Sequence, residues 1–156
     1  MIKRILLALL FSLSIAIRPT LAFDDDILGL WDTEEKDAVI EMFKCGQKYC
    51  GRIFWVKEPN YSAGDKNGKG GRPILDDNNP DANLRNRPIV GLQIINDFSF
   101  AGDNSWTEGN IYDPERGKAY SGRMNLTSQN SLNVRGYILI PLLGRTTTWT
   151  RRVSTN

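Results

Sequence analysis

The feature that most restricts this chain is its punctuation. Short runs of alternating apolar and polar residues recur along it, each closed by turn-forming residues, and none carries the 3.6-residue period of a helix. The runs predicted as strands are Ile27 to Thr33, Ala38 to Cys45, Tyr49 to Lys57, Ile89 to Asp97, Ser105 to Tyr112, Lys118 to Thr127, Ser131 to Ile140 and Gly144 to Arg152. Between them stand Glu34-Glu35-Lys36-Asp37, a turn over Gly46-Gln47-Lys48-Tyr49, Asp113-Pro114-Glu115-Arg116-Gly117 and Ser128-Gln129-Asn130. Such a pattern builds a sandwich or a barrel. Hairpin-joined strands leave exposed edges unless the sheet closes on itself, so the predicted fold is all-β, a single eight-stranded antiparallel up-and-down barrel.

One segment breaks this rhythm. From Glu58 to Pro88 the chain is polar and rich in Gly, Asn, Asp and Pro, and loops of about 30 residues are usually functional or mobile. Asn79 as N-cap, Pro80 at the first helical position and Asp81 near the positive helix end predict one helical turn there.

The two ends of the strand pattern answer each other. Gly29-Leu30-Trp31 opens the first strand, and Trp149-Thr150-Arg151 stands in the last. In a closed barrel those strands are neighbours, so Trp31 can plug the floor and Arg151 can lie over its indole, a contact worth about 0.5–2 kcal/mol. The alternative is an ordinary core tryptophan and a surface arginine.

Residues 1–22 read as a cleaved signal peptide: Lys3 and Arg4, an apolar stretch from Ile5 to Ile17, and a small-x-small site at Thr20-Leu21-Ala22. That stretch is shorter than the roughly 20 residues of a spanning helix, and no cysteine stands near the cleavage point for a lipid anchor. A mature domain of residues 23–156, periplasmic or secreted, is expected. Removing Lys3, Arg4 and Arg18 leaves 17 basic residues against 18 acidic ones, a balance without the footprint of a nucleic-acid partner. Export to an oxidising compartment predicts a disulfide between Cys45 and Cys50; the competing reading, a redox or metal pair, lacks the usual two-residue spacing and further soft ligands.

Beyond these features the chain resembles a known group. Gly29-Leu30-Trp31 with Arg151 is similar to the lipocalins and the wider calycins, whose barrels bind small, mostly hydrophobic molecules. More of it resembles the secreted bacterial family called domain of unknown function 2147, through "GLWDT", "CGQKYCGRIFWVKEP", "DDNNPDANLRNRPIVGL", "NIYDPERGKAYSGRM" and "LNVRGYILIPLLGRTTTWTR". The resemblance implies a lipocalin-like barrel and supplies no catalytic residues.

Catalytic chemistry has little to work with. The chain contains no histidine, which excludes Ser-His-Asp and Cys-His arrangements, and it shows no phosphate-binding glycine loop. Glu108 and Asp113 are a conceivable acid and base for glycoside cleavage if they face one cleft. Asp65 and Asp76 to Asp81 gather oxygen atoms, but the spacing departs from a calcium-binding loop. No enzyme activity, cofactor or metal is expected. The barrel interior is the candidate site, predicted to be lined by Trp55, Trp106, Tyr112, Tyr120, Met124, Val134 and Ile138, with Gly122 and Gly136 leaving space beside them. An eight-stranded barrel holds its own side chains or one small ligand. The predicted partner is a small hydrophobic or amphipathic molecule; a scaffold acting through the 58–88 loop is the alternative. Charges interleaved along "KAYSGRMNLT" and "SLNVRGYIL" argue against a lipid-facing transmembrane barrel.

Overall fold

The computed structural model describes residues 24–153, so the signal segment 1–22 lies outside the described residues. A 3-10 turn, Asp24–Ile27, precedes the strands β1 Gly29–Asp32, β2 Ala38–Cys45, β3 Lys48–Val56, β4 Gln93–Gly102, β5 Ser105–Asp113, β6 Lys118–Ser128, β7 Ser131–Tyr137 and β8 Arg145–Arg151. Each strand pairs antiparallel with the next, and β8 pairs with β1 through Trp31 opposite Arg151 and Asp32 opposite Thr150. The eight strands thus form a closed barrel, and alternation along each one sends every second side chain inward.

The disulfide between Cys45 and Cys50 forms, with 5.8 Å between the Cα atoms. Its hairpin is tighter than predicted. Cys45 pairs with Lys48 and Phe43 with Cys50, so Gly46 and Gln47 alone make the turn and the bridge runs diagonally across the ladder. Asp97 lies close to both sulfurs. Bonded to each other, they offer no thiolate to a metal.

Four strand ends differ from expectation: Ile27 belongs to the 3-10 turn and β1 begins at Gly29, β4 starts later and runs on past Asp97 to Gly102, and β7 ends early. Ile89 to Gly91 forms a turn ahead of β4, with the Gly91 N–H donating to Ile53 O at 2.7 Å and Leu92 O accepting from Ile53 N–H at 2.9 Å. At the other end, β7 stops at Tyr137. Leu139 takes φ 67°, the Ile140 N–H turns back to Ile138 O at 2.8 Å, and Pro141 opens a 3-10 turn, Pro141–Leu143. A proline forces its predecessor into an extended conformation and has no N–H to offer a ladder.

The core divides along the barrel axis. Toward the end where β1 begins and β8 finishes, Trp31, Tyr49, Phe98, Trp106, Met124 and Leu132 are fully buried and packed together. Trp106 stacks edge-on with Tyr49 at 6.1 Å between ring centres and tilts against Phe100 at 5.2 Å. Phe98 lies across the barrel. A Cβ built on Gly109 would meet its ring at 2.1 Å, and one on Gly122 at 2.3 Å. The two glycines therefore make room for Phe98, so Gly122 does not leave open space as expected.

The floor is sealed as the terminal residues foretold. The Arg151 guanidinium sits 4.3 Å from the centre of the Trp31 ring. It also donates from Nη1 to Leu28 O at 2.8 Å, from Nε to Gln129 O at 2.7 Å, and from Nη2 to Asp26 O. The Trp31 indole N–H donates to Ile27 O at 2.8 Å, so one arginine and one tryptophan bind the entry turn, the β6–β7 turn and the last strand together. Gly29 has φ 112°, a conformation that side chains resist.

Candidate ligand cavity

Above this plug the barrel is hollow. A cavity of about 1110 Å³ opens at the end carrying the β1–β2, β3–β4, β5–β6 and β7–β8 connections. Its inner wall is aliphatic: Ile53, Ile94, Ile111 and Val134, with Trp149 of β8 beside them. These residues project inward for the same reason that Trp106 and Phe98 do, but the four aliphatic side chains are much smaller than the rings that fill the floor.

Of the predicted lining residues, Tyr112, Tyr120, Val134 and Ile138 face this cavity, and Gly136 lies among them. Trp106 and Met124 are inward as alternation requires, yet sit beneath the cavity in the solid floor, both fully buried. Trp55 does not line it. A bulge between Val39 and Ile40 sets Val39 opposite Trp55 and Ile40 opposite Ile53; the extra residue reverses the alternation, Val56 turns inward in its place, and Trp55 is left outside with Arg152 over its ring at 5.7 Å.

The long β3–β4 connection forms part of the wall. Isolated bridges join Asn60 to Pro73 and Leu75 to Pro88, so the segment folds back on itself and brings Tyr61, Ile74 and Leu75 to the cavity. Asp76 bolts it down. Although fully buried, its carboxylate accepts from the Tyr112 hydroxyl at 2.6 Å, Asn79 Nδ2 at 2.7 Å and Arg87 Nη2 at 3.0 Å, the set of donors that a buried charge requires. Burial and the adjacent carboxylate push the Tyr112 hydroxyl up to about 12. A second fastening lies at the β5–β6 turn, where Asn78 Nδ2 donates to Glu115 O at 2.8 Å. A Cβ at Gly117 would stand 1.8 Å from Asn78 O, so this glycine admits the loop as well as supplying its own positive φ of 62°.

The acidic cluster of the loop is occupied by donors of the protein itself. Asp65 accepts from the backbone N–H groups of Asn67 and Lys69 at 2.9 and 3.0 Å, and Asp77 pairs with Lys69 at 2.7 Å. The cap of the short 3-10 turn Ala82–Leu84 is Asp81 in place of the expected Asn79; Asn79 instead accepts from the Asp81 N–H at 2.9 Å. Neither do the two carboxylates suggested for glycoside chemistry meet. Glu108 lies exposed outside the barrel with Ser99 at 3.0 Å, whereas Asp113 is held at the mouth by Arg116.

Sequence reasoning missed Ile53, Ile94, Ile111 and Trp149, all inward positions of strands it had placed. It also missed Ile74 and Leu75, whose signal was an apolar pair inside an otherwise polar loop.

Comparison with known proteins agrees with this architecture. A solved structure described as "Protein HP1028 from the human pathogen Helicobacter pylori belongs to the lipocalin family" superposes with a TM-score of 0.66 at 25% identity, covering 81% of this chain and 83% of that one. No curated protein matches the chain. The family model of "Uncharacterized protein conserved in bacteria (DUF2147)" matches residues 29–151, from the first residue of β1 to the last of β8, and the chain belongs to that family.

Proposed function

We propose that this protein is an exported, non-enzymatic carrier, cleaved after residue 22, that holds a small hydrophobic or amphipathic molecule in the open half of its barrel. One observation carries the reading: a cavity of about 1110 Å³ walled by isoleucine, valine and tryptophan and open at one end. Ligand sites are commonly concave, mostly apolar and furnished with a few polar groups. Here the polar groups stand at the rim, where Tyr112 is tied to Asp76 and Arg145 comes from the start of β8. An apolar tail would lie against Ile94, Ile111 and Val134, and a polar head would remain at the mouth. The disulfide and the likeness to a lipocalin-family structure support export and carriage.

The test is titration with N-phenylnaphthylamine, a fluorophore that brightens in apolar surroundings, against wild type and Val134→Trp. Wild type should bind it saturably. The added indole should raise Kd at least about tenfold, or roughly 1.4 kcal/mol, with little change in melting temperature. Equal binding by both proteins would remove the cavity as the site.

A further inference from the structure

The β7–β8 connection has a composition that the cavity alone does not explain. Its tip, Ile138-Leu139-Ile140-Pro141-Leu142-Leu143, projects aliphatic side chains into solvent, with Leu139, Leu142 and Leu143 exposed at 89%, 82% and 74%. The shape is held. Arg135 donates from Nε to Pro141 O at 2.7 Å, from Nη2 to Leu142 O at 3.3 Å and from Nη1 to Thr146 Oγ1 at 2.6 Å. Leu139 occupies the left-handed region at φ 67°, a conformation that costs free energy for a branched side chain. The fold thus holds these leucines in a fixed, outward presentation.

The surroundings of the tip carry a charge signature. After Glu115 the sequence contains no acidic residue, while Arg116, Lys118, Arg123, Arg135, Arg145, Arg151 and Arg152 are basic. Strands β6, β7 and β8 therefore bear cations alone. Arg123 and Arg135 stand opposite each other in the register of β6 and β7, and the Arg135 guanidinium is turned toward the tip it holds. Arg145 has no carboxylate within 4.0 Å among the described residues. The β1–β2 turn, by contrast, carries Glu34 and Glu35, and at the β5–β6 turn Asp113 stands opposite Lys118 and pairs with Arg116, with Glu115 beside them, so an anionic surface would be approached with the barrel leaning toward β7 and β8.

We infer that the Ile138–Leu143 tip docks the barrel on an anionic lipid bilayer, with its leucines at the acyl boundary and Arg123, Arg135 and Arg145 over the headgroups. Aliphatic residues on one side of a boundary and Lys and Arg on the other are the physical requirements for lying at a membrane interface. Protein interfaces, in contrast, are anchored chiefly by Trp, Tyr and Arg, with leucine under-represented. Ile138, Leu139 and Leu143 also line the cavity, so the apolar surface runs without interruption from the docked tip to the interior. This inference rests on the carrier reading for its purpose: a hydrophobic cargo resides in lipid, and the tip brings the mouth to that reservoir.

The experiment is co-sedimentation of the mature protein with vesicles of phosphatidylglycerol and phosphatidylethanolamine, and separately with phosphatidylcholine vesicles. Wild type should pellet with the anionic vesicles and much less with the neutral ones. The triple variant Leu139→Ser, Leu142→Ser, Leu143→Ser should lose at least about tenfold in partitioning while its melt and disulfide are retained. Wild type remaining in the supernatant, or the variant pelleting as wild type does, would overturn the inference. Light scattering adds a further arm: a wild-type dimer that the triple variant splits would make the tip a self-association surface and overturn it too. Binding of N-phenylnaphthylamine in vesicle-free buffer separates the two proposals, since a barrel that pellets with lipid but takes up no probe supports docking and refutes carriage alone.

Discussion

The floor and the mouth of this barrel are built from the same alternating strands, yet one is solid and the other hollow. In the floor, large rings converge: Phe98 occupies the space over Gly109 and Gly122, and Trp31, Tyr49 and Trp106 fill what remains. Toward the mouth the inward positions of the same strands hold Ile94, Ile111 and Val134, which border the cavity. The connections follow the same division. Two-residue turns close the floor at Gly46-Gln47 and Asp103-Asn104, and the mouth carries the long β3–β4 segment and the aliphatic β7–β8 tip. Barrel closure does not decide between core and container; the size of the inward side chain at each level does.

If the floor carries the stability and the mouth the binding, Trp31→Ala should damage folding more than any single change at the mouth. Truncating a buried tryptophan costs about 3–5 kcal/mol, and this one also loses its bond to Ile27 O. Chemical denaturation should show a midpoint shift of that size, with unchanged slope. Val134→Ala at the cavity wall should cost far less, because it removes two methyl groups where Trp31→Ala removes a whole indole. Equal losses at the two sites would erase the distinction between floor and mouth.

Arg151→Ala comes next. It removes the cation over Trp31 and three bonds to backbone carbonyls, of which water can replace the more exposed, leaving an expected loss of about 1–3 kcal/mol. A fall of several degrees in melting temperature, with fluorophore binding intact, would confirm that sealing the floor and holding a ligand are separable. An unchanged melt would place the seal in Trp31 alone.

The strands themselves were legible because alternation and turn residues act locally: β2 was found to the residue, and β5, β6 and β8 to within one at each end. The closing contact was legible for a related reason, since Gly29, Trp31 and Arg151 have few uses in that combination at the two ends of a closed sheet. What escaped depended on distant partners. Trp55 faces outward because of a bulge opposite Val39 and Ile40, on a neighbouring strand. Gly122 reads as vacant until Phe98, two strands away, is seen to fill the place. Ile138 and Ile140 continue the apolar alternation of β7, and only the left-handed Leu139 and the following Pro141 end it. The polar β3–β4 segment disclosed its length but not its docking, which needs Asp76 to find Tyr112 at 36 residues' separation.

That docking supplies the prediction that depends on pH. Tyr112→Phe removes the hydroxyl that Asp76 accepts from, at a cost of about 1.5–3 kcal/mol for a bond to a charged group, and should loosen the loop wall without disturbing the floor. In the folded protein the Tyr112 hydroxyl titrates at about 12 instead of its ordinary 10.0. A hydroxyl whose pKa is raised by folding adds stability that is fully present below about pH 10 and is lost as pH rises toward 12, where tyrosinate would face the Asp76 carboxylate. The gap in stability between wild type and Tyr112→Phe should therefore be constant at neutral pH and shrink across that window. Tyr49 in the floor, also raised to about 12 by burial, is the internal control: its late ionisation should persist in the variant's tyrosinate absorbance while that of Tyr112 disappears. A stability gap that stays constant from neutral pH to pH 12 would mean that Tyr112 and Asp76 do not hold the loop to the barrel, and that the mouth owes its shape to the Asn78 and Gly117 contact instead.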